Sequence, residues 1–162
     1  MDTNDGKNHL YARVDDFEVA MLVTQTTNAM HARPMAIASL DEALGVYLVT
    51  VLDSIKVDEI RASPQALLTF QSVRKFASVR GELTVLHDRP LVERMWKESW
   101  KVWFPEGKSD PNIGVLKFTA LEGEYWDNGG MRGLKYVYDA ALAYVAGGTL
   151  KTDDDQHAKV SL

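Results

Sequence analysis

Two short stretches carry side chains that could grip an anion. Arg33 stands in A-R-P-M (Ala32–Met35), and Ser54-Ile55-Lys56 closes the run V-T-V-L-D-S-I-K (Val49–Lys56). A guanidinium presents a planar fork of donors, an ammonium a compact charge, and a hydroxyl one further donor. A phosphate monoester, with nearly two charges and three acceptor oxygens, asks for that set. The opening turn of a helix adds unpaired N–H groups, and the pattern D-S-I-K-V-D-E-I-R-A predicts a helix over Asp53–Ala62. Its caps are Asp53 or Ser54, Glu59 gives an acid in the first turns, and Ile55, Val57 and Ile60 face inward. Each group also has a plainer reading. Ser54 and Lys56 suit a capped surface helix, and Arg33 suits an edge-strand ion pair. Pro34 removes one N–H from its strand and marks a place where pairing breaks, which frees neighbouring backbone for a ligand.

Bringing Arg33 to Lys56 is a matter of the elements between them. Ala32–Leu40 is rich in small and apolar residues, and Val46–Val51 is an almost unbroken apolar run. Asp41–Gly45 supplies turn chemistry, with Gly45 free to take a positive φ. A hairpin returns to where it started, so Arg33 and the Ser54–Lys56 pair are expected on one rim of the sheet.

A third group is aromatic. Trp96, Trp100 and Trp103 fall at helical spacing and share a face if the helix expected over His87–Trp103 is continuous. The plain reading is core or dimer contact; the sharper one puts Trp103 or Phe104, at the helix end, over a flat ligand. His31, His87 and His157 form no metal-ligand spacing, no G-x-S-x-G marks an activated serine, and no G-x-G-x-x-G or Walker motif occurs. No metal and no catalytic side chain are assigned.

The remaining chain supports a strand-dominated body. Asn8–Phe17 reads as a short helix through Leu10, Val14 and Phe17. Strands are expected over Glu18–Thr26, Gln65–Gln71, Phe76–Leu86 and Ile113–Trp126, with Gly81 marking a bulge or a close backbone approach. The stripe Leu91, Met95, Trp96 and Val102 is expected to bury the helix that opens at Pro90. An amphipathic helix over Met131–Val145 and a polar tail over 149–162 complete the chain. About six strands with short connections predict one domain over residues 1–162, a mainly β (α+β) fold built as a small antiparallel barrel with helices at its openings.

Composition narrows the function. The net charge of −5 argues against nucleic acid or an anionic membrane surface as partner. The absence of cysteine excludes disulfides, thiol nucleophiles and cysteine-ligated zinc. The start, Met1–Asn8, is polar rather than signal-like, and no apolar run reaches the ~20 residues that span a bilayer. The expectation is a soluble cytoplasmic protein.

Taken together, A-R-P-M, V-T-V-L-D-S-I-K, W-F-P-E-G-K-S-D-P (Trp103–Pro111) and E-Y-W-D (Glu124–Asp127) resemble the general stress protein 26 family, within the pyridoxamine 5′-phosphate oxidase-like split β-barrels. The resemblance implies a six-stranded split barrel that binds FMN, with FAD as the second candidate, in a homodimer with two flavin sites at the subunit interface. It implies that Arg33, Pro34, Met35 and Ala36 line the ring and ribityl side, with Val49 and Thr50 on the adjacent strand. Ser54 and Lys56 would hold the phosphate, and Trp103 would approach the flavin from its own or the partner chain. The implied function is a stress-related flavin oxidoreductase; the alternative is a non-catalytic flavin carrier or sensor. Ile55 stands where many relatives place an arginine. The oxidase's strand glutamine and its C-terminal substrate motif are missing, so oxidation of pyridoxamine phosphate itself is not implied.

Overall fold

The computed structural model describes residues 8, 10–12, 14–41, 45–127 and 157–161. Its strands are β1 (Val19–Gln25), β2 (Met30–Leu40), β3 (Gly45–Val51), β4 (Gln65–Gln71), β5 (Lys75–Leu86), β6 (Ile113–Asp127) and β7 (His157–Ser161). All neighbours are antiparallel, in the order β3-β2-β1-β4-β5-β6-β7, and β3 also pairs with β6. That last pairing, Gly45↔Thr119 through Val51↔Ile113, closes six strands into a barrel. Beyond Thr119, β6 leaves β3 and takes β7 instead, from Glu122↔Ser161 to Trp126↔His157. Part of the expected polar tail is therefore a strand. The expected helix over 131–145 lies outside the described residues.

Alternation sorts the side chains into two layers. Leu22, Leu48, Leu68, Val79, Leu116 and Phe118 fill the barrel. Helical residues near the N-terminus close it at one end, where Leu10 packs so near Gly123 that a Cβ there would meet it at 2.2 Å. At the other end α1 (Ile55–Ala62) lies against β1 and β5 and sends Ile60 into the same core. Ile55, expected inward, is 79% exposed; Val57 and Ile60 already fill the helix's inner face.

The second layer lies outside the barrel wall. Val49, Ile113 and Val115 are covered by Val92, Trp100 and Phe104. The cover is not the single helix expected over His87–Trp103. α2 spans only Arg89–Met95, with Asp88 accepting from Leu91 N–H at 3.0 Å and Pro90 in the first turn. Trp96 then turns extended (φ −53°, ψ 132°), and a 3₁₀ segment follows over Glu98–Val102. The break lets the chain wrap a curved wall: Trp96 meets Trp100 edge-on at 5.9 Å. Of the expected stripe, Leu91, Met95 and Trp96 pack partly against this layer and Val102 points to solvent; the buried member is Val92, which lay outside that stripe.

Two glycines matter for reasons of space. At Gly81 a Cβ would sit 2.2 Å from the Thr119 carbonyl, and the β5–β6 register shifts between Arg80 and Gly81, so Gly81 combines a bulge with a close approach. Gly45 is not in the positive-φ region; Gly107, at φ 81°, is the described glycine that is. What Gly45 supplies is room, because its N–H donates to Asp41 Oδ1 at 2.8 Å and a Cβ would strike that carboxylate.

Candidate functional site

The β2–β3 hairpin comes apart toward its open end. Pairing runs from Leu40↔Val46 to Ile37↔Leu48, with an irregularity between Ile37 and Ser39, and the register goes no further. β2 continues on β1 (Ala36↔Val19 to Met30↔Gln25), while β3 continues on β6. A gap therefore opens between Arg33–Ala36 and Val49–Val51. The Ile37 N–H donates to Glu18 O at 2.9 Å. Counting back by twos, Pro34 and Ala36 turn their main-chain groups away from β1 and toward the gap. Pro34 has no N–H to leave unpaired there.

The gap is a cleft of about 350 Å³, lined by Arg33, Pro34, Met35, Ala36, Val49, Thr50 and Lys56. Val19, Val51, Trp103 and Phe104 complete it. Eight of the nine residues expected from the sequence thus line one cleft. The ninth, Ser54, stands beside Lys56, whose Nζ donates to Thr50 Oγ1 at 3.1 Å and Ser54 Oγ at 3.4 Å. Trp103 reaches the cleft within this chain; the residue is 57% exposed, while Phe104, which follows it, is buried. The three tryptophans do not share a face, because the helix that would have aligned them ends at Met95.

Ser54 occupies the N-cap position of α1 but does not cap it. Its hydroxyl donates to Val51 O at 2.7 Å. The loop ahead of the helix is fixed from elsewhere, by Asn112, which takes the Asp53 N–H on its side chain (2.9 Å) and the Leu52 N–H on its carbonyl (2.8 Å). Arg89 pins the neighbouring loop through the carbonyls of Lys108, Asp110 and Ile113.

The two cations are kept differently. Burial first, and the Arg33 charge second, hold the Lys56 ammonium below its ordinary pKa. Arg33 donates from one guanidinium nitrogen to Thr24 Oγ1 and from the other to Glu59 Oε2 at 3.0 Å. Glu59 also accepts from Thr24 Oγ1 at 2.9 Å and meets His31 Nδ1 at 2.6 Å. Burial works to raise the Glu59 pKa, yet the hydrogen bonds from His31, Thr24 and Arg33 outweigh it and leave the carboxyl below its usual value. Sequence reading missed this cluster. The signal was there: Glu59 follows Lys56 by three residues, so both lie toward one face of α1.

A cleft with apolar walls, one split hairpin and cations at one end can hold a flat ligand by its anionic tail. The family of proteins described as pyridoxamine 5′-phosphate oxidase like matches residues 5–151. The chain belongs to that family. Among solved structures, this member resembles a protein described as general stress protein 26 from Jannaschia sp. CCS1, with a TM-score of 0.74 and 23% identity over 98% of this chain and 99% of that one. A general stress FMN/FAD-binding protein from Xanthomonas citri gives a TM-score of 0.63 and 24% identity, covering 79% and 89%. Protein bli-3 of Neurospora crassa is 25% identical over 132 residues, 73% of this chain; the match spans 63% of bli-3's own length. Within the family member's described residues, no helix is long and apolar enough to cross a membrane.

Proposed function

We propose that the cleft binds a flavin nucleotide, FMN in the first place, by its phosphate at Lys56 and Arg33, joined by Ser54 once its hydroxyl turns from the Val51 carbonyl. The observation that carries this reading is the meeting of Arg33 and Lys56 at one apolar cleft whose other walls are Met35, Ala36, Val49 and Trp103. A planar ring suits such walls, and about 350 Å³ lies in the ~300–1,000 Å³ range of small-molecule sites. The fit is supported by the backbone as well: Pro34 and Ala36 aim main-chain groups into the gap, where a flavin's heteroatom edge needs them. Flavin binding named for the Xanthomonas citri protein supports the same choice.

When bound, the flavin supplies the redox chemistry. The chain's residues bind the phosphate, orient the ring and shield it. Among the described residues that line the cleft there is no histidine, carboxylate or tyrosine to move a proton. That fits a flavin-dependent oxidoreductase whose chemistry rests in the cofactor; the family resemblance extends the proposal to a cytoplasmic homodimer acting in a stress response. It also favours a second reading, a flavin carrier or sensor without turnover. Steady-state reduction by NADH or NADPH separates them: rapid turnover excludes the carrier.

The binding itself is tested by titrating FMN and riboflavin against the wild type and the Lys56→Ala/Ser54→Ala double variant. FMN is expected to weaken by about 10–100-fold, a charge-assisted loss of roughly 1.5–3 kcal/mol, with riboflavin changed less than about threefold. Equal losses for both ligands, or no binding of either by the wild type, would overturn the proposal.

A further inference from the structure

Glu59 does not line the cleft, yet its side chain is only 8% exposed and binds three neighbours, Thr24, His31 and Arg33. Packing alone does not ask for an acid there. Val57 and Ile60 on the same helix already fill the barrel end. A carboxylate taken out of water costs several kcal/mol unless a partner offsets it, so its presence points to the partner. That partner is Arg33, whose own side chain is 21% exposed. Among the described residues, Thr24 and Glu59 each engage one of the five guanidinium N–H donors, and Arg33 lines the cleft with donors to spare for a ligand.

The formal charges can then be counted at the notch. Arg33 and Lys56 bring two positives and Glu59 one negative, a net of one for these three side chains, and His31 Nδ1 meets the carboxylate's other oxygen. A phosphate monoester brings about −1.5 to −2 at pH 7. We propose that Glu59 is a positioning residue and counter-ion that aims Arg33 at the cleft and cancels its charge, so that an anionic ligand is held against a net charge of one. This deepens the flavin-phosphate reading and rests on it. The same carboxylate would set the selectivity between phosphorylated and neutral forms of one ligand.

Glu59→Gln tests the inference, because it removes the charge while keeping an acceptor for Arg33 and Thr24. FMN is expected to bind about fivefold tighter, as for the loss of one nearby unit charge in a partly screened site, with a steeper salt dependence. Riboflavin is expected within about twofold of wild type. FMN affinity that is unchanged or lower, or a parallel shift of both ligands, would overturn the role, since a purely structural residue moves both alike. Arg33→Gln/Glu59→Gln removes the pair together and leaves no lone buried charge. It is expected to retain more FMN affinity than Arg33→Gln alone; an equal or larger loss would overturn the inference even where Glu59→Gln fails to fold. A wild type that binds neither flavin overturns the functional reading only. Inorganic phosphate, followed by ³¹P NMR against the same variants, then decides: tightening in Glu59→Gln supports the counter-ion, and no tightening overturns it.

Discussion

The inside of the barrel and the layer on its outer wall are both apolar, but they are built for different ends. Inside, Leu22, Leu48, Leu68 and Phe118 are at 0% exposure and both openings are filled. Outside, Trp100 and Phe104 are buried over Val49 and Ile113, while Trp103, next in the chain, stays 57% exposed at the mouth of the cleft. The inner layer is complete without a ligand. The outer layer stops short where β2 and β3 part, and the space it leaves is the site. Stability and ligand recognition are thus separated by one thickness of sheet, with β3 serving both: Leu48 faces in and Val49 faces out.

Substitutions should expose that division. The largest effect is expected for Phe118→Ala, about 3–5 kcal/mol of stability from a cavity in a filled core, read by urea denaturation. Gly81→Ala comes next, at about 1–3 kcal/mol, because its methyl group meets the Thr119 carbonyl and the Phe118 ring. Trp103→Ala should move stability by no more than about 0.5 kcal/mol, yet weaken FMN and riboflavin alike by about tenfold. A stability loss at Trp103 rivalling that at Phe118 would erase the distinction between the layers. The smallest effect is in acid. The Glu59 carboxyl titrates below its ordinary value of 4.5 in the folded protein. Its stabilisation is therefore present above pH 4.5 and fades as pH falls through the depressed value. Glu59→Gln should lack that part of the acid limb and melt at temperatures that change less between pH 5 and pH 3.

The site was legible because its parts are close in sequence. One hairpin and the helix after it carry Arg33, Thr50, Ser54 and Lys56, and strand runs with turn residues between them announce a hairpin. Pro34 was legible for a related reason, since a residue without an N–H marks a strand where pairing ends. Gly81 was readable because it interrupts a strand that alternates apolar and polar residues. What stayed hidden depends on distant chain. Glu59 reads as an acid in the first turns of a helix until β1 and β2 bring Thr24, His31 and Arg33 against it. Trp96, Trp100 and Trp103 read as one helical face until the curvature of the wall breaks the helix after Met95. The pairing of β3 with β6 has no local signature, because any exposed strand edge could have served.

That pairing has a consequence for how the chain is made. The strand that seals the barrel beside Val46–Val51 emerges from the ribosome about seventy residues after the hairpin it joins. Until then the wall that carries half of the cleft has a naked hydrogen-bonding edge, open to a neighbouring nascent chain. Late closure of this kind is slow for a small protein. It makes the newborn polypeptide, rather than the finished fold, the stage most exposed to aggregation.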